Sequence, residues 1–178
     1  MKKIYLFSVL ASLVLGISSC ASSKIDTNTV PNVDLTRYMG KWYEIGRFDV
    51  AFEKGLVGTT ANYTLNEDGT VKVVNGGYKN TLDGKFDSIE GKARVRKSKK
   101  TGELEVAFFL NFYAEYNILE LDTINYDYAL VGGSTDKYLW ILSRTPNMDT
   151  DILEMILSKA ATRGYDTSKI LWVDQPNE

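Results

Sequence analysis

From residue 40 onward, hydrophobic and polar residues alternate in short runs, a pattern typical of β-strands that bury one face. Clusters of Asn, Asp, Gly, Ser and Lys separate these runs and mark turns. The predicted strands are residues 41–49, 57–65, 70–79, 85–96, 103–110, 113–121, 127–133 and 137–144. Consecutive strands with short links predict an all-β fold, an eight-stranded up-and-down antiparallel barrel, because closing the sheet removes its exposed edges. A barrel of that size has room for one small ligand.

The pattern changes after the eighth strand, where a helix is predicted. Pro146 and either Asp149 or Thr150 begin it, and Gly164 is a suitable residue to end it. Its apolar positions form one stripe that we expect to pack against the outside of the barrel, namely Ile152, Leu153, Ile156, Leu157, Ala160 and Ala161. A short final strand at 170–173 is predicted to pair beside the first strand.

The N-terminal residues predict a signal peptide and a lipid anchor. Lys2 and Lys3 precede an apolar stretch, and small residues lead to Cys20, the only cysteine in the chain. The stretch is too short and wrongly flanked for a transmembrane helix, so residues 1–19 are predicted to be a secretory signal. Its end resembles the bacterial lipobox, in which the cysteine becomes the lipidated first residue and attaches the protein to a membrane.

The sequence predicts three units, of which the signal peptide at residues 1–19 is the first. Residues 20–33 are rich in Ser, Thr and Asn and are expected to form a flexible tether with a reach of at most ~45 Å, whereas residues 34–178 form the barrel domain. Ala21 stands where enteric bacteria use Asp to retain a lipoprotein at the inner membrane. The expected location is therefore the outer membrane, on the side that faces the periplasm.

Composition excludes most catalytic chemistry. The chain has no histidine, which rules out Ser-His-Asp and Cys-His nucleophiles as well as the common zinc and haem sites. We therefore expect no enzyme activity, no metal and no cofactor. Removing residues 1–19 takes away two lysines and changes the formal net charge from −2 to −4. Such a chain is not expected to bind nucleic acid, which requires a basic surface.

Two motifs about 100 residues apart resemble those of the lipocalin family. Gly40-Lys41-Trp42 stands at the first strand, and Tyr138 to Pro146, with Arg144, stands at the eighth strand before the helix. Residues 32–177 as a whole are similar to the bacterial outer-membrane and apolipoprotein D-like members, through Arg47–Asp49, Phe52–Leu56, Tyr128–Val131 and Trp172–Pro176. Thr123-Ile124-Asn125 departs from the family's Thr-Asp-Tyr motif, so that turn is expected to be built differently.

The resemblance implies that Arg144 lies across Trp42 at the closed end of the barrel, as a structural pair. Cation–π attraction between them contributes ~1–2 kcal/mol when shielded from water. If both face inward, the alternation of strands also turns Glu44, Leu142, Trp140 and Tyr138 toward the cavity as candidate ligand-binding residues. A buried Glu44 is costly unless it is protonated or paired with Arg47, a cavity tyrosine or Arg144.

Strand six carries aromatic residues on both faces, so alternation cannot choose between Tyr113 and Tyr116. The resemblance favours Tyr113 as the ligand-binding tyrosine, with Tyr116 as the second candidate. A tyrosine suits such a site because its ring is apolar while its hydroxyl can bond a carboxylate or phosphate. Either Phe108 or Phe109 is also expected in the wall.

The sequence predicts a protein that binds and stores or transports a hydrophobic ligand, a fatty acid or a lysophospholipid by resemblance, in a bacterial envelope. A structural or interaction lipoprotein whose barrel is filled by its own side chains is the alternative, and a hydrolase that uses only carboxylates is a remote one. The resemblance also allows a homodimer. The basic run from Arg94 to Lys100 is either a solvated turn or a contact to anionic head groups.

Overall fold

The computed structural model describes residues 25–110 and 112–176, and their strands form one closed antiparallel barrel. The strands are β1 Gly40–Arg47, β2 Leu56–Leu65, β3 Val71–Lys79, β4 Phe86–Val95, β5 Glu103–Ala107, β6 Ala114–Leu121, β7 Tyr128–Gly132, β8 Leu139–Ser143 and β9 Leu171–Trp172. Neighbours in sequence pair from β2 to β8, and β1 pairs with both β8 and β2, which closes the sheet. The all-β, eight-stranded barrel with an added final strand is therefore confirmed.

The two ends of the barrel differ. A short helix, α1 Leu35–Tyr38, lies beside the start of β1 and covers that end, which we call the closed end. Asp34 caps α1 by accepting hydrogen bonds from the backbone N–H groups of Thr36 (2.9 Å) and Arg37 (3.3 Å). The opposite, open end holds the loop from β1 to β2, which contains a 3₁₀ turn at Ala51–Glu53. The sequence pattern predicted neither turn of helix, because both are shorter than a periodic signal.

The predicted helix is α2, Thr150–Thr162, and Asp149 is its N-cap. Ile156 and Ala160 are fully buried against the outer wall of the barrel, while Ala161, which was predicted to share that stripe, is exposed. Gly164 follows the helix with φ +91°, a backbone conformation that favours glycine. Among the described residues, no helix is both long enough and apolar enough to cross a membrane.

The final strand β9 pairs with β1, as predicted, at the last two residues of β1. Gly46 of β1 pairs with Trp172, and a Cβ at Gly46 would lie 2.9 Å from Ile170 and 3.1 Å from the Trp172 ring. Only glycine therefore lets β9 approach so closely. Beyond β9, the Gln175 side-chain amide donates to the carbonyls of Glu44 (2.8 Å) and Thr59 (2.9 Å), where the pairing of β1 with β2 has ended.

The tether predicted at residues 20–33 is wrong for its second part, residues 25–33. Ile25 and Val33 are buried, and the backbone N–H of Asp26 donates to the Arg163 carbonyl (2.8 Å), as that of Val30 does to the Ile118 carbonyl (2.9 Å). The segment is part of the folded domain because its apolar side chains and backbone groups find partners on the barrel. Residues 1–24 lie outside the described residues, and Cys20 is at most ~18 Å of chain from Ile25.

Two further segments differ in detail from the prediction. The fifth strand ends at Ala107 rather than at residue 110, where Leu110 has φ +50° and is 89% exposed. The turn at residues 123–125, where the sequence departs from the family motif, is held by the Asp122 carboxylate. This carboxylate accepts hydrogen bonds from the backbone N–H groups of Ile124 (3.0 Å) and Asn125 (3.2 Å).

The basic run lies at the closed end, on the hairpin between β4 and β5, and much of its charge is paired. The Arg94 guanidinium lies 2.6 Å from Glu105, and that of Arg96 lies 2.9 Å from Glu115. Lys100 lies 3.3 Å from Glu103. These pairs reduce the positive charge that the hairpin could offer to anionic head groups, so they favour the interpretation as a solvated turn.

Candidate ligand-binding cavity

A cavity of about 850 Å³ occupies the barrel and opens at one end. This volume lies within the range of ~300–1,000 Å³ that small-molecule sites occupy. Its walls are mainly apolar and come from inward-facing positions of the strands, among them Ala61, Val73, Ala93, Leu104, Val131 and Leu142. The barrel is therefore not filled by its own side chains.

The closed end is held by Trp42 and Arg144. Trp42 is 0% exposed, and the Arg144 guanidinium carbon lies 3.8 Å from the centroid of its ring. The same guanidinium donates to the carbonyls of Arg37 (2.8 Å), Lys41 (2.8 Å) and Tyr126 (3.2 Å), which ties α1, β1 and the β6–β7 turn together. Neither residue lines the cavity, so the arrangement is that of a structural pair.

Three tyrosines form the floor of the cavity above Trp42. The Tyr116 hydroxyl lies 2.7 Å from that of Tyr38 and 3.0 Å from that of Tyr63. Burial raises the pKa of all three phenols, which therefore stay protonated. Three hydroxyl protons serve two hydrogen bonds within this trio, so one proton remains for a ligand oxygen.

The candidate residues on β1, on β8 and just before β8 all line the cavity. The structure places Glu44, Leu142, Trp140 and Tyr138 in its wall, as the alternation from Trp42 and Arg144 requires. Trp140 stacks on Tyr138 with 6.2 Å between ring centroids and an interplanar angle of 10°. The alternation therefore placed all four side chains on the side that faces the cavity.

Both candidate tyrosines of strand six, Tyr113 and Tyr116, line the cavity. Tyr116 is bonded within the floor trio, whereas the ring of Tyr113 also lies 4.1 Å from the guanidinium of exposed Arg94. Ala114 and Tyr116 lie two residues apart on one face of β6, and Tyr113 precedes that strand. Phe108 packs against the inner core, while Phe109 is exposed at the rim.

A β-bulge in β1 brings an arginine inside the barrel. Glu44 pairs with Leu142 on β8, but Gly46 pairs with Ile141 and Arg47 with Trp140, so Ile45 is the extra residue. A bulge shifts the alternation by one, and Arg47 consequently shares the inward face with Glu44. Strict alternation from Trp42 would have turned Arg47 outward.

Arg47 is buried between two carboxylates. Its Nε lies 3.4 Å from Glu53 Oε2 and 3.8 Å from Glu44 Oε2, and all three side chains are almost inaccessible to solvent. Thr59 Oγ1 also donates to Glu44 (2.8 Å), and Trp140 Nε1 donates to Glu53 Oε2 (3.2 Å). Of the partners expected for Glu44, Arg47 is present, whereas Arg144 and the cavity tyrosines bond elsewhere.

One guanidinium cannot neutralise two buried carboxylates. Burial, reinforced by the charge of Glu53, raises the pKa of Glu44 to about 8, although the hydrogen bond from Thr59 and the charge of Arg47 oppose this. Burial raises the pKa of Glu53 as well, against the hydrogen bond from Trp140 and the charge of Arg47. The pair therefore holds a proton at neutral pH.

The stability of the protein should accordingly fall as pH rises. Between the ordinary Glu pKa of 4.5 and the folded value of about 8, the unfolded chain loses the Glu44 proton while the folded chain keeps it. Ionisation then favours unfolding progressively across this window, and the effect levels off above it. Melting temperatures from pH 5 to pH 9 measure this. Glu44→Gln should flatten the decline, and an unchanged slope in that variant would contradict the assignment.

Several residues of the cavity were missed by the sequence analysis. Tyr63 could have been found, because Thr59, Ala61 and Tyr63 alternate inward on β2. The sequence could not assign Arg47 to the interior of the barrel, since no pattern of residue types predicts a β-bulge. Glu53 lies in a 3₁₀ turn of the open-end loop and folds back into the barrel, which only the path of the chain reveals.

The rim of the cavity carries exposed apolar side chains from the loops at the open end. They are Phe52, Phe109, Phe112 and Tyr138. Exposed apolar surface of this kind commonly marks a binding site. Among the described residues, no group of three or more His, Cys, Asp or Glu side chains is arranged to hold a metal ion.

Comparison with known proteins agrees with this architecture. A model of the lipocalin-like domain matches residues 33–175. The outer membrane lipoprotein Blc of Escherichia coli K12 is 43% identical over 93% of this chain and 92% of its own length. That of Vibrio cholerae is 39% identical over 96% of this chain and 98% of its own length. Rat apolipoprotein D is 33% identical over 97% of this chain and 90% of its own length. Insecticyanin from Manduca sexta has the same fold, with a TM-score of 0.69 at 20% identity over 85% of this chain and 86% of its own. The chain is a member of the lipocalin family.

Proposed function

We propose that this protein binds a single-chain lipid, a fatty acid or a lysophospholipid, and stores or transports it in the bacterial envelope. The observation that carries the proposal is the open, largely apolar cavity of about 850 Å³. Burial of apolar surface drives such binding at ~25 cal/mol per Å² removed from water. The cavity favours this function over the alternative of a structural lipoprotein with a filled barrel. We do not assign it a catalytic role.

The proposed location is the outer membrane, through lipid on Cys20 and with the barrel on the periplasmic side. Its support is the lipobox-like sequence and the names of the relatives from E. coli and V. cholerae. The proposed signal peptide at residues 1–19 is removed in this scheme. A homodimer stays a prediction, and sedimentation at graded protein concentrations measures it.

Filling the cavity should block ligand binding. Ala93 on β4 is buried in the wall, so Ala93→Phe places a ring where the ligand would lie. We expect the affinity for palmitate and for palmitoyl lysophospholipid to fall at least about tenfold, equivalent to ~1.4 kcal/mol. Isothermal titration of delipidated protein measures it, and quenching of Trp140 fluorescence gives a second readout.

Lys92 provides the matched control because it precedes Ala93 on the same strand and faces solvent, paired with Asp68 at 3.4 Å. Lys92→Phe should bind both lipids as the unaltered protein does. If the unaltered protein takes up neither lipid, or if both variants lose binding equally, the cavity is not the lipid site.

A further inference from the structure

Large apolar side chains are exposed together on one turn at the open end of the barrel, between β5 and β6. Phe109, Leu110 and Phe112 are 68%, 89% and 80% exposed. The backbone N–H of Phe112 donates to the Phe109 carbonyl (3.2 Å), which keeps the turn tight. Leu110 has φ +50°, a conformation that is uncommon for residues other than glycine. Neither this conformation nor the exposure stabilises the barrel, which points to a role in contact with another surface.

Two further loops bring aromatic side chains to the same end. Phe52 lies in the β1–β2 loop and is 58% exposed, and Tyr138 precedes β8 and is 40% exposed. We call the five side chains the open-end surface, namely Phe52, Phe109, Leu110, Phe112 and Tyr138. Single exposed apolar residues are ordinary, whereas a group of them marks contact with a protein or a membrane. All but Leu110 also line the cavity, so whatever covers this surface faces the mouth.

The charges around the open-end surface balance. The described loops at this end expose three aspartates and three lysines, namely Asp49, Asp83, Asp136, Lys54, Lys85 and Lys137. This end therefore has no excess charge that would attract an acidic or a basic partner protein. Contact here depends on burial of apolar surface, and aromatic side chains are the ones that favour the interface between lipid and water.

The closed end has a different surface. Its two hairpin turns carry exposed charges, namely Glu67, Asp68, Lys97, Lys99 and Lys100. The exposed large apolar side chains there, Leu65 and Ile124, lie on separate turns. Charged side chains resist transfer out of water, so this end is suited to solvent and not to the interior of a bilayer.

The position of Cys20 limits how far the barrel can lie from a membrane. Ile25 is buried, and the backbone N–H of Asp26 is bonded to the Arg163 carbonyl, so the chain is fixed to the wall from residue 25 onward. Cys20 is five residues earlier and can be at most ~18 Å away. A barrel anchored through so short a link lies against the membrane, and of its two ends only the open one has a surface that lipid would accept.

We propose that the open-end surface lies in the interface of the membrane to which Cys20 is anchored, with the cavity mouth toward the lipid. The inference rests on the proposed location, because it takes lipid on Cys20 as the anchor. The occupant of the surface is the bilayer itself, not a second copy of the chain or another protein. A lipid molecule then passes between bilayer and cavity without crossing water.

A tryptophan placed on the turn tests this orientation. Leu110→Trp puts a fluorescent ring on the open-end surface at a position that does not line the cavity. The full-length variant is isolated with its lipid and reconstituted in phosphatidylcholine vesicles whose acyl chains carry bromine near the head groups. The added fluorescence should fall by at least about half, because interfacial aromatic side chains reach ~5–10 Å into the boundary between head groups and acyl chains. The unaltered protein supplies the background of the three native tryptophans.

Lys99→Trp is the matched control. Lys99 is exposed on the hairpin turn at the closed end and has φ +62°, close to that of Leu110. Its added fluorescence should stay unquenched in the same vesicles. Quenching of Lys99→Trp equal to or greater than that of Leu110→Trp overturns the inference.

Flotation of the vesicles in a density gradient checks the anchor separately. If the protein floats with the vesicles but Leu110→Trp is not quenched, the inference is overturned and the proposed location stands. Emission from Leu110→Trp that shifts to the blue without quenching shows that protein covers the surface, which overturns the inference as well. If the protein does not float, the proposed location fails and the inference fails with it.

A second variant tests whether the apolar side chains make the contact. Phe112→Asp, combined with Leu110→Trp, puts a carboxylate beside the probe and should lower its quenching at least about twofold, since charge resists burial in lipid. Ile124→Asp, combined with the same probe, is the control because Ile124 is a 78% exposed apolar residue at the closed end. This variant should keep the full quenching. Quenching that survives Phe112→Asp contradicts the proposed contact.

Discussion

Trp42→Ala should lower the free energy of unfolding by about 3–5 kcal/mol, as expected for removal of a fully buried aromatic side chain. Trp42 is 0% exposed, and its indole N–H donates to the Tyr38 carbonyl (2.9 Å) in α1. The variant loses this packing, the hydrogen bond and the stacked Arg144 guanidinium together. Urea titrations followed by far-ultraviolet circular dichroism measure the loss.

Trp172→Ala is the matched control, because it removes the same side chain from β9 where it is 54% exposed. This change should cost about 1 kcal/mol or less, in line with ordinary surface substitutions. If the two variants lost equal stability, Trp42 would not be the residue that holds the closed end.

Arg47→Met should lower the free energy of unfolding at pH 7 by about 3–5 kcal/mol, the range for breaking a buried ion pair from one side. Methionine fills similar space but leaves Glu44 and Glu53 buried without a counter-charge. The loss should shrink at pH 5, where both carboxylates can be protonated and need no cation. Thermal unfolding of the variant and the unaltered protein at both pH values measures the difference.

The control combines Arg47→Met with Glu44→Gln and Glu53→Gln. Removing all three charges should restore most of the stability, since a neutral cluster avoids the desolvation of ions. Should the triple variant be as unstable as Arg47→Met alone, the loss would come from packing of the arginine stem and not from charge.

Most of the barrel could be predicted because alternation acts locally. The ends of each strand were predicted to within three residues, since burial of one face imposes a period of two on the sequence. The errors lie where a few residues turn without periodicity, as in α1, the 3₁₀ turn at Ala51–Glu53 and the end of β5.

The segment at residues 25–33 shows a different kind of error. Its Ser, Thr and Asn content is typical of a linker, yet Ile25 and Val33 are enough to hold it against the barrel with backbone hydrogen bonds. Composition averages over a segment, whereas two well-placed apolar side chains decide whether it packs. If Cys20 carries the proposed lipid, the chain between that anchor and the barrel is shorter than the composition suggested.

The sequence by itself determined the barrel, its outer helix, the inward direction of Glu44, Trp140 and Leu142, and the absence of histidine chemistry. Those properties follow from residue types and from a period that repeats along each strand. Only the tertiary structure decided which charged side chains lie inside the barrel. The bulge at Ile45 turned Arg47 inward, and the open-end loop brought Glu53 back beside Trp140. Both depend on contacts between residues far apart in the chain, where a one-residue shift changes the face that a side chain presents.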